Sequence, residues 1–414
     1  MNDIYIAGIA MTVFGRHLER PLDNLAQEAL DGALKDAGCQ ASDIGTAFYA
    51  GATNGYLQGQ ILVPGQVVFG KIGITGIPTF NVEAACASGS SAFHLAIQSL
   101  RAGSTDVALA LGVEKLNIPD KAKMFGVFQG GWDVSRAEQN LADMLSLGAG
   151  VEVPPGSESD KPYSEVMQVY ASMCRYYMKT YGITQRQVAA VCAKNHNHSV
   201  HNPFSQIRKP YTIDEVLAAP PITYPLTLPM CAPVSDGASA AIVCTEEGLK
   251  RIGADRSRCI KVAASVMRSF THRRIDQVEL AAGRLAAQQA YEIAGVGPDD
   301  IDVAEVHDAS AMGEIIQVEN LQFVAPGEGG PAAERGEFTH GGRLPVNVSG
   351  GLESKGHPLS ATGIGQLFEL VTQLRGEAGA RQVEGARIAL QENGGGLAGV
   401  EEAVVAVNIL SKAS

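Results

Sequence analysis

Residues 25–49, LAQEALDGALKDAGCQASDIGTAFY, and residues 284–308, RLAAQQAYEIAGVGPDDIDVAEVHD, read as two copies of one pattern. Ala37-Gly38 and Asp43-Ile44 recur as Ala294-Gly295 and Asp300-Ile301, each 257 positions on (294 − 37 and 300 − 43). In both copies, apolar residues at helical spacing run into a glycine suited to a helix C-cap. An aspartate-containing turn and an apolar strand follow. Beyond each strand come a polar, glycine-rich stretch, a second strand, and a small-residue turn that opens another helix. That turn is ACASGSSA around Cys86 in the first copy and SKGHPLSATG around His357 in the second. The second copy is longer by the loop GEGGPAAERGEFTHGG, 327–342. The pattern predicts an α/β chain of two duplicated halves.

The first junction lies within NVEAACASGSSAFHLAIQSL, 81–100. Cys86 precedes the apolar positions Ala92, Leu95, Ala96 and Leu100, which recur at helical spacing. Locally, the cysteine could be buried filler or a reactive thiol. A thiol at a helix N-terminus feels the positive end of the macrodipole, so a lowered pKa is expected for it. Two repeats that each place a reactive residue type at the same junction favour the reactive reading, with both helix N-termini facing one pocket.

With 414 residues, 45% of them hydrophobic and 18% charged, the chain can bury a large core or two joined ones. The net charge of −12 argues against nucleic acid as the partner. An anionic ligand would need a local basic patch such as Arg208-Lys209, or Arg268 with Arg273-Arg274. Seven scattered cysteines without a CxxC pair suit a reducing, cytoplasmic setting and give no zinc pattern. The opening MNDIYIAGIAMTVFGRH does not read as a signal peptide, LSKAS does not read as a sorting signal, and no apolar run suits a membrane span.

The intervening region divides the chain into a first half of 1–114 plus 226–258, an insertion of 115–225, and a second half of 259–414. Pro, Gly and Ser clusters mark loops in the insertion around a few helices, for example 164–182. Such an insertion is the usual place for substrate-binding elements. Met124, Phe125, Phe128 and Trp132 are candidates for an acyl pocket, or simply core. His196, His198 and His201 invite a metal reading, but positions i and i+2 of a helix point in different directions, so no metal site is expected. Asp236-Gly237 suits a tight turn.

The blocks GIAMTVFGRH, ACASGSSA, PVSDGASAAIV, HDAS, ESKGHPLSATG and ENGGG stand in one order along nearly the whole chain. In this the chain resembles the thiolase superfamily, specifically its sterol-carrier-protein-type branch. The resemblance implies the thiolase fold, with two duplicated α/β halves layered αβαβα around shared central helices and a loop-domain insertion over the site. It implies an acyl-CoA C-acyltransferase with Cys86 as the nucleophile that carries the acyl group. His357 would accept the thiol proton, and His307 would polarise the thioester carbonyl. Cys86 with Gly394 and Gly395, in a Gly394–Gly396 turn, would form an oxyanion hole. Coenzyme A would be substrate and product, with no permanently bound cofactor; no glycine-rich phosphate loop appears to hold it. The resemblance also implies a homo-oligomer (a dimer or a dimer of dimers), with GKIGITGIPTFNV as an interface edge, and a possible small zinc-containing OB-fold partner subunit.

The chain departs from the family twice. Glu392 stands where thiolases carry a second cysteine before the terminal glycines, and Ala309 stands at the cysteine of the HDCF motif. Either Glu392 or His307 would then move the α-carbon proton. The departures leave open a CoA-dependent retro-aldol carbon–carbon lyase, and a thiolase-like subunit active only with its partner.

Overall fold

A computed structural model describes residues 3–412, so the first two residues of the opening segment and the last two of the LSKAS tail lie outside it. In the first half, strands β1 (Ile4–Met11), β2 (Thr46–Ala50), β3 (Thr79–Val82), β4 (Val107–Lys115) and β5 (Asp236–Thr245) accompany helices α1 (Leu22–Ala37) and α2 (Ser88–Arg101). The insertion contributes α3 (Glu165–Tyr181) and α4 (Gln185–Ser199). In the second half, β6 (Ile260–Ser269), α5 (Ala282–Ala294), β7 (Val303–Glu305), α6 (Leu359–Arg375), β8 (Ile388–Gly395) and β9 (Val404–Lys412) repeat the scheme.

The repeat read from sequence is structural. Helices α1 and α5 both end at left-handed glycines, Gly38 at φ 69° and Gly295 at φ 71°. A glycine without a Cβ takes this conformation at no steric cost and satisfies the last helical carbonyls. The halves differ at their edges. β3 pairs in parallel along β2, whereas its counterpart is reduced to a single parallel bridge between Ala304 and Val346. The second strand expected in the second copy is therefore almost absent.

The two half-sheets are continuous with one another. The strand order is β3-β2-β4-β5-β1-β6-β9-β8-β7, and the seam is only the pairs Tyr5–Lys261 and Ile6–Ile260. Alternation along the strands sends side chains to opposite faces. Tyr5, Ala7, Leu109 and Ile242 pack on α1, while Ile4, Ile6, Ala108 and Val243 pack on α2 and α6. From the other half-sheet, Val262, Ala389 and Leu410 reach the same two helices, while Ala264, Val266 and Ile409 face α5. The layers therefore run α1, half-sheet, α2 with α6, half-sheet, α5. The interior helices α2 and α6 carry both junction turns at their N-termini.

The chain between β4 and β5 does not build a core of its own. Val169, Cys174, Val188 and Cys192 of α3 and α4 share one with α5 and β9. Ser164 caps α3 through the Val166 amide, and Gly182 ends it at φ 74°, as the 164–182 pattern predicts. No helix among the described residues is long and apolar enough to cross a membrane.

Candidate active site

Cys86 lies in the turn between β3 and α2. Ala85 before it is held in the left-handed region at φ 48°. That conformation is unfavourable for a residue with a Cβ, and local bonds hold it. The Ala85 amide donates to Glu83 Oε1 at 2.7 Å, and Ser88 Oγ donates to the Ala85 carbonyl at 2.7 Å while accepting from the Ala84 amide at 2.9 Å. Gly395 closes the turn from the other half, where a Cβ would sit 2.2 Å from the Ala84 carbonyl. Cys86 is partly exposed and packs beside Leu57, Leu116, Leu359 and Phe128.

The expected low thiol pKa is corrected here. Burial, and then Glu114, push the Cys86 thiol up to about 12, with Glu83 and Glu402 adding to the shift. Desolvation and three carboxylates outweigh a helix end, because no cation stands by to stabilise a thiolate. The resting group is a thiol, and it needs a base.

His357 is the candidate base, in the same cluster as the thiol. Its turn pairs in parallel with Val234, and its amide donates to Ser235 Oγ at 2.9 Å. Thr362 Oγ1 donates to the Pro358 carbonyl at 3.1 Å and lies 2.7 Å from His357 Nδ1. With its proton committed to a carbonyl, this hydroxyl must accept from Nδ1–H, which leaves the lone pair on Nε2. Nε2 is buried and has no protein partner. Burial, with His307 second, holds the His357 pKa well below the usual histidine range, so the ring is neutral at pH 7.

His307 follows β7. Cys86, His307 and His357 bring one ligand-type atom each within 4.8 Å of one another, and the two imidazoles meet edge to face with centroids 5.2 Å apart. Burial lowers the His307 pKa to about 4. Its neighbour Asp308 turns away, accepting from the Leu352 amide at 2.7 Å and from Asn195 Nδ2 at 3.0 Å.

Glu392 adjoins this trio without joining it. Its Oε2 accepts from the His307 amide at 2.9 Å, and its Oε1 is buried and unpartnered. Burial, then the neighbouring Glu402, raise its pKa well above the ordinary carboxylate value, which favours the carboxylic acid form. Gly394 and Gly395 are not in a turn as expected. They end β8 opposite Val405 and Val404, and only Gly396 leaves the strand, at φ 64°. Gly394 leaves room for the Glu402 side chain, which a Cβ would meet at 2.5 Å.

Other expectations divide. Asp236 does not form a tight turn; it begins β5, accepting from the amides of His17 and Asn117. Arg273 is unavailable to an anion, being paired with Glu401 at 3.0 Å. His196 and His198 each engage both ring nitrogens with protein groups, namely Pro229 and Ser354, and Asn347 and His340. Phe125 and Phe128 line a cavity of about 390 Å³ together with Tyr56, Lys123 and Tyr163. The cavity adjoins the Cys86 cluster through Phe128, whereas Met124 and Trp132 belong to core packing.

Sequence reading missed Tyr170 and Glu402. Tyr170 on α3 has its pKa raised by burial first and then by Glu402, Cys86 and Glu392, which places it beside the site. Nothing distinguishes Tyr170 from the other tyrosines of an amphipathic helix. Asn393 lay in plain view within ENGGG.

Residues 4–210 match the family described as thiolase, N-terminal domain, and residues 263–408 match that described as thiolase C-terminal domain-like. Sterol carrier protein 2 of Oryctolagus cuniculus is 37% identical over 94% of this chain and 69% of its own length. An acetyl-CoA acetyltransferase of Methanothermobacter thermautotrophicus is 35% identical over 100% of both chains. The benzoylsuccinyl-CoA thiolase subunit BbsB of Thauera aromatica is 33% identical over 92% of this chain and 91% of its own. Among solved structures, an Ltp2-ChsH2(DUF35) aldolase superposes with a TM-score of 0.77 at 23% identity, over 99% of this chain and 98% of its own. Human mitochondrial 3-ketoacyl-CoA thiolase does so with a TM-score of 0.69 at 15% identity, over 100% of this chain and 99% of its own. With two domain families matched in order and relatives aligned end to end, the chain belongs to the thiolase superfamily of acyltransferases, in its sterol-carrier-protein-type branch.

Proposed function

We propose that the protein exchanges acyl groups between Cys86 and coenzyme A, cleaving a 3-oxoacyl-CoA or running the reverse condensation. The observation that carries this reading is the trio of Cys86, His307 and His357, with one ligand-type atom of each within 4.8 Å of the others and His357 Nε2 buried without a protein partner. In the cleavage direction, His357 Nε2 takes the Sγ proton and the thiolate attacks the 3-keto carbon. The C2–C3 bond breaks, and its electron pair becomes the enolate of the shorter acyl-CoA. His307 stabilises that enolate oxygen. Glu392, as the carboxylic acid that its raised pKa favours, supplies the α-carbon proton, taking the place of the family's second cysteine. Free coenzyme A then gives its thiol proton to the Glu392 carboxylate and takes the acyl group from Cys86, whose leaving thiolate recovers its proton from the His357 imidazolium. The backbone amides of Cys86 and Gly394 are assigned to the tetrahedral oxyanion, with Gly395 fixing the turn.

The aromatic-lined cavity beside Phe128 suits the acyl or pantetheine portion of the substrate, with Lys123 the cation on its wall. A second copy of the chain would pair along edge strand β3, where exposed Phe80 lies beside the exposed Val63 and Val67. The helix Pro64–Lys71, which carries Val67, meets the strand through Gln66, bonded to the Thr79 carbonyl and to Asn81 Nδ2. Seven free cysteines fit a reducing cytoplasm.

A retro-aldol lyase is the second reading, favoured by one observation: Ala309 and Glu392 leave both usual positions of the second cysteine empty of sulfur. It would work with a partner subunit, as the names of the Ltp2-ChsH2(DUF35) aldolase and of the Thauera thiolase subunit suggest. The test is to incubate the protein with acetyl-CoA and a series of 3-oxoacyl- and 3-hydroxyacyl-CoAs, with and without a zinc-containing OB-fold protein, and to follow cleavage and map adducts by mass spectrometry. An acyl group on Cys86 that coenzyme A discharges supports acyl transfer. Cleavage of a 3-hydroxyacyl-CoA without any adduct, unchanged in Cys86→Ala, would replace it with the lyase. Neither activity with the partner present would leave a scaffold subunit.

A further inference from the structure

A neutral imidazole offers a donor at one nitrogen and an acceptor at the other, so the chemistry open to His307 depends on where its single proton sits. The buried groups behind the ring decide this, starting from a main-chain carbonyl that can only accept. Gln366 Nε2 donates to the Glu392 carbonyl at 3.0 Å, so Gln366 Oε1 points the other way. That oxygen lies 2.9 Å from Gln391 and must receive a proton from Gln391 Nε2. The amide of Gln391 is thereby oriented, and its Oε1 accepts from Asn408 Nδ2 at 2.5 Å. The second proton of Gln391 Nε2 goes to Ser90 Oγ at 2.8 Å. With that lone pair engaged, Ser90 Oγ–H donates to Asn393 Oδ1 at 2.8 Å. Asn393 then presents Nδ2 to His307 Nδ1 at 3.0 Å. An N–H facing Nδ1 admits only a lone pair there, so the ring proton is on Nε2.

We infer that Gln366, Gln391, Ser90 and Asn393 form a positioning relay that locks His307 as the Nε2–H tautomer, a hydrogen-bond donor to the substrate oxygen and never a base. The inference rests on the acyl-transfer reading for the identity of that oxygen, and on the hydrogen bonds alone for the tautomer. It removes His307 from the two candidates for moving the α-carbon proton and leaves Glu392. It also makes the two histidines complementary, since His307 points N–H at the pocket and His357 points a lone pair.

Two features fit a dedicated device. Ser90, Gln366, Gln391, Asn393 and Asn408 are all fully buried, where no water can reverse a link and each unpaired group would be costly. Helix α6 makes room for the relay with Gly363, where a Cβ would lie 2.0 Å from Ser90 Oγ and 2.6 Å from Asn393 Oδ1. The relay also forbids the imidazolium, whose Nδ1–H would face another N–H.

The test is long-range proton–nitrogen NMR of the full chain labelled with ¹⁵N-histidine, with His307 assigned by loss of its signals in His307→Gln. The expected result is a pyrrole-type Nε2 and a pyridine-type Nδ1 from pH 8 to pH 6. In Asn393→Asp the carboxylate can only accept, so the proton should move to Nδ1. The turnover number should then fall by about 10²–10³-fold, the usual loss for an oxyanion donor, with KM little changed. A His307 protonated on Nδ1 in the native chain, or an unaltered tautomer in a folded Asn393→Asp, would overturn the inference. If Asn393→Asp does not fold, Ser90→Ala serves, with mixed tautomers expected and a single Nε2–H form counting against the relay. No substrate is needed for the spectra. A chain that fails to acylate Cys86 but shows the expected tautomer sinks the acyl-transfer reading alone, and the reverse result sinks the relay alone.

Discussion

The turns before α2 and α6 occupy matching places in the two halves, yet they are built by opposite means. The first holds a residue with a Cβ, Ala85, at φ 48° and binds it down with Glu83 and Ser88. The second uses Gly356, whose φ of 110° costs nothing without a Cβ. Each turn is closed by the other half. Gly395 from β8 backs the Cys86 turn, and Ser235 beside β5 backs the His357 turn. A duplicated scaffold thus delivers two helix N-termini to one place, and the divergence of a few residues puts a thiol at one and an imidazole at the other. Neither half contains a complete site.

The largest effect is expected from removing the nucleophile. Cys86→Ala should abolish the adduct and lower acyl transfer by about 10⁴-fold or more, read as steady-state thiolysis. His357→Ala keeps the thiol but leaves it protonated, and a loss of about 10²–10⁴-fold in the acylation rate is expected at pH 7.5. Equal, small losses in both variants would mean that the two turns do not act on one another.

Gly395→Ala attacks the support rather than the chemistry. A Cβ 2.2 Å from the Ala84 carbonyl must push the Cys86 turn aside. A loss of about 1–3 kcal/mol by urea denaturation is expected, together with slower acylation. Unchanged stability would show that the turn yields freely.

The pH dependence sharpens the comparison from the base's side. The reactive form of His357 is neutral, and burial has lowered its pKa well below 6.5, so protonation should not compete until the pH falls well under that value. Acylation of Cys86 should change less than about twofold between pH 7.5 and pH 6.5. An acid limb centred at 6.5 or higher would contradict a buried neutral base.

The smallest effect is expected at Ala85. Glycine relieves the left-handed strain but gives the unfolded chain more freedom, so Ala85→Gly should change stability by less than about 1 kcal/mol, measured by the same denaturation. A large loss would mean that the methyl group packs as well as strains.

Much of this was legible in the linear sequence. The helical spacing before Gly38 and Gly295, the shared offset and the junction placement of Cys86 and His357 all follow from local rules of periodicity and capping, which neighbouring residues satisfy among themselves. The trio itself was recoverable because Cys86 and His357 precede repeated helices and His307 follows a repeated strand. The direction of the thiol pKa was not. A helix end lowers it in isolation, but burial and Glu114 win, and burial is a property of everything that packs around the group.

The sequence by itself therefore determined the duplication and the residue types at each junction, and its resemblance to the thiolases implied the layers. Tertiary structure alone decided that the half-sheets join through two pairs at β1 and β6, that Tyr170 and Glu402 stand beside the thiol, and that Gly394 and Gly395 end a strand. It also decided where the proton of His307 sits, through a link between Ser90 and Asn393, 303 residues apart. Periodicity is local and can be read along the chain. Desolvation and hydrogen-bond direction depend on which distant groups share one dry space.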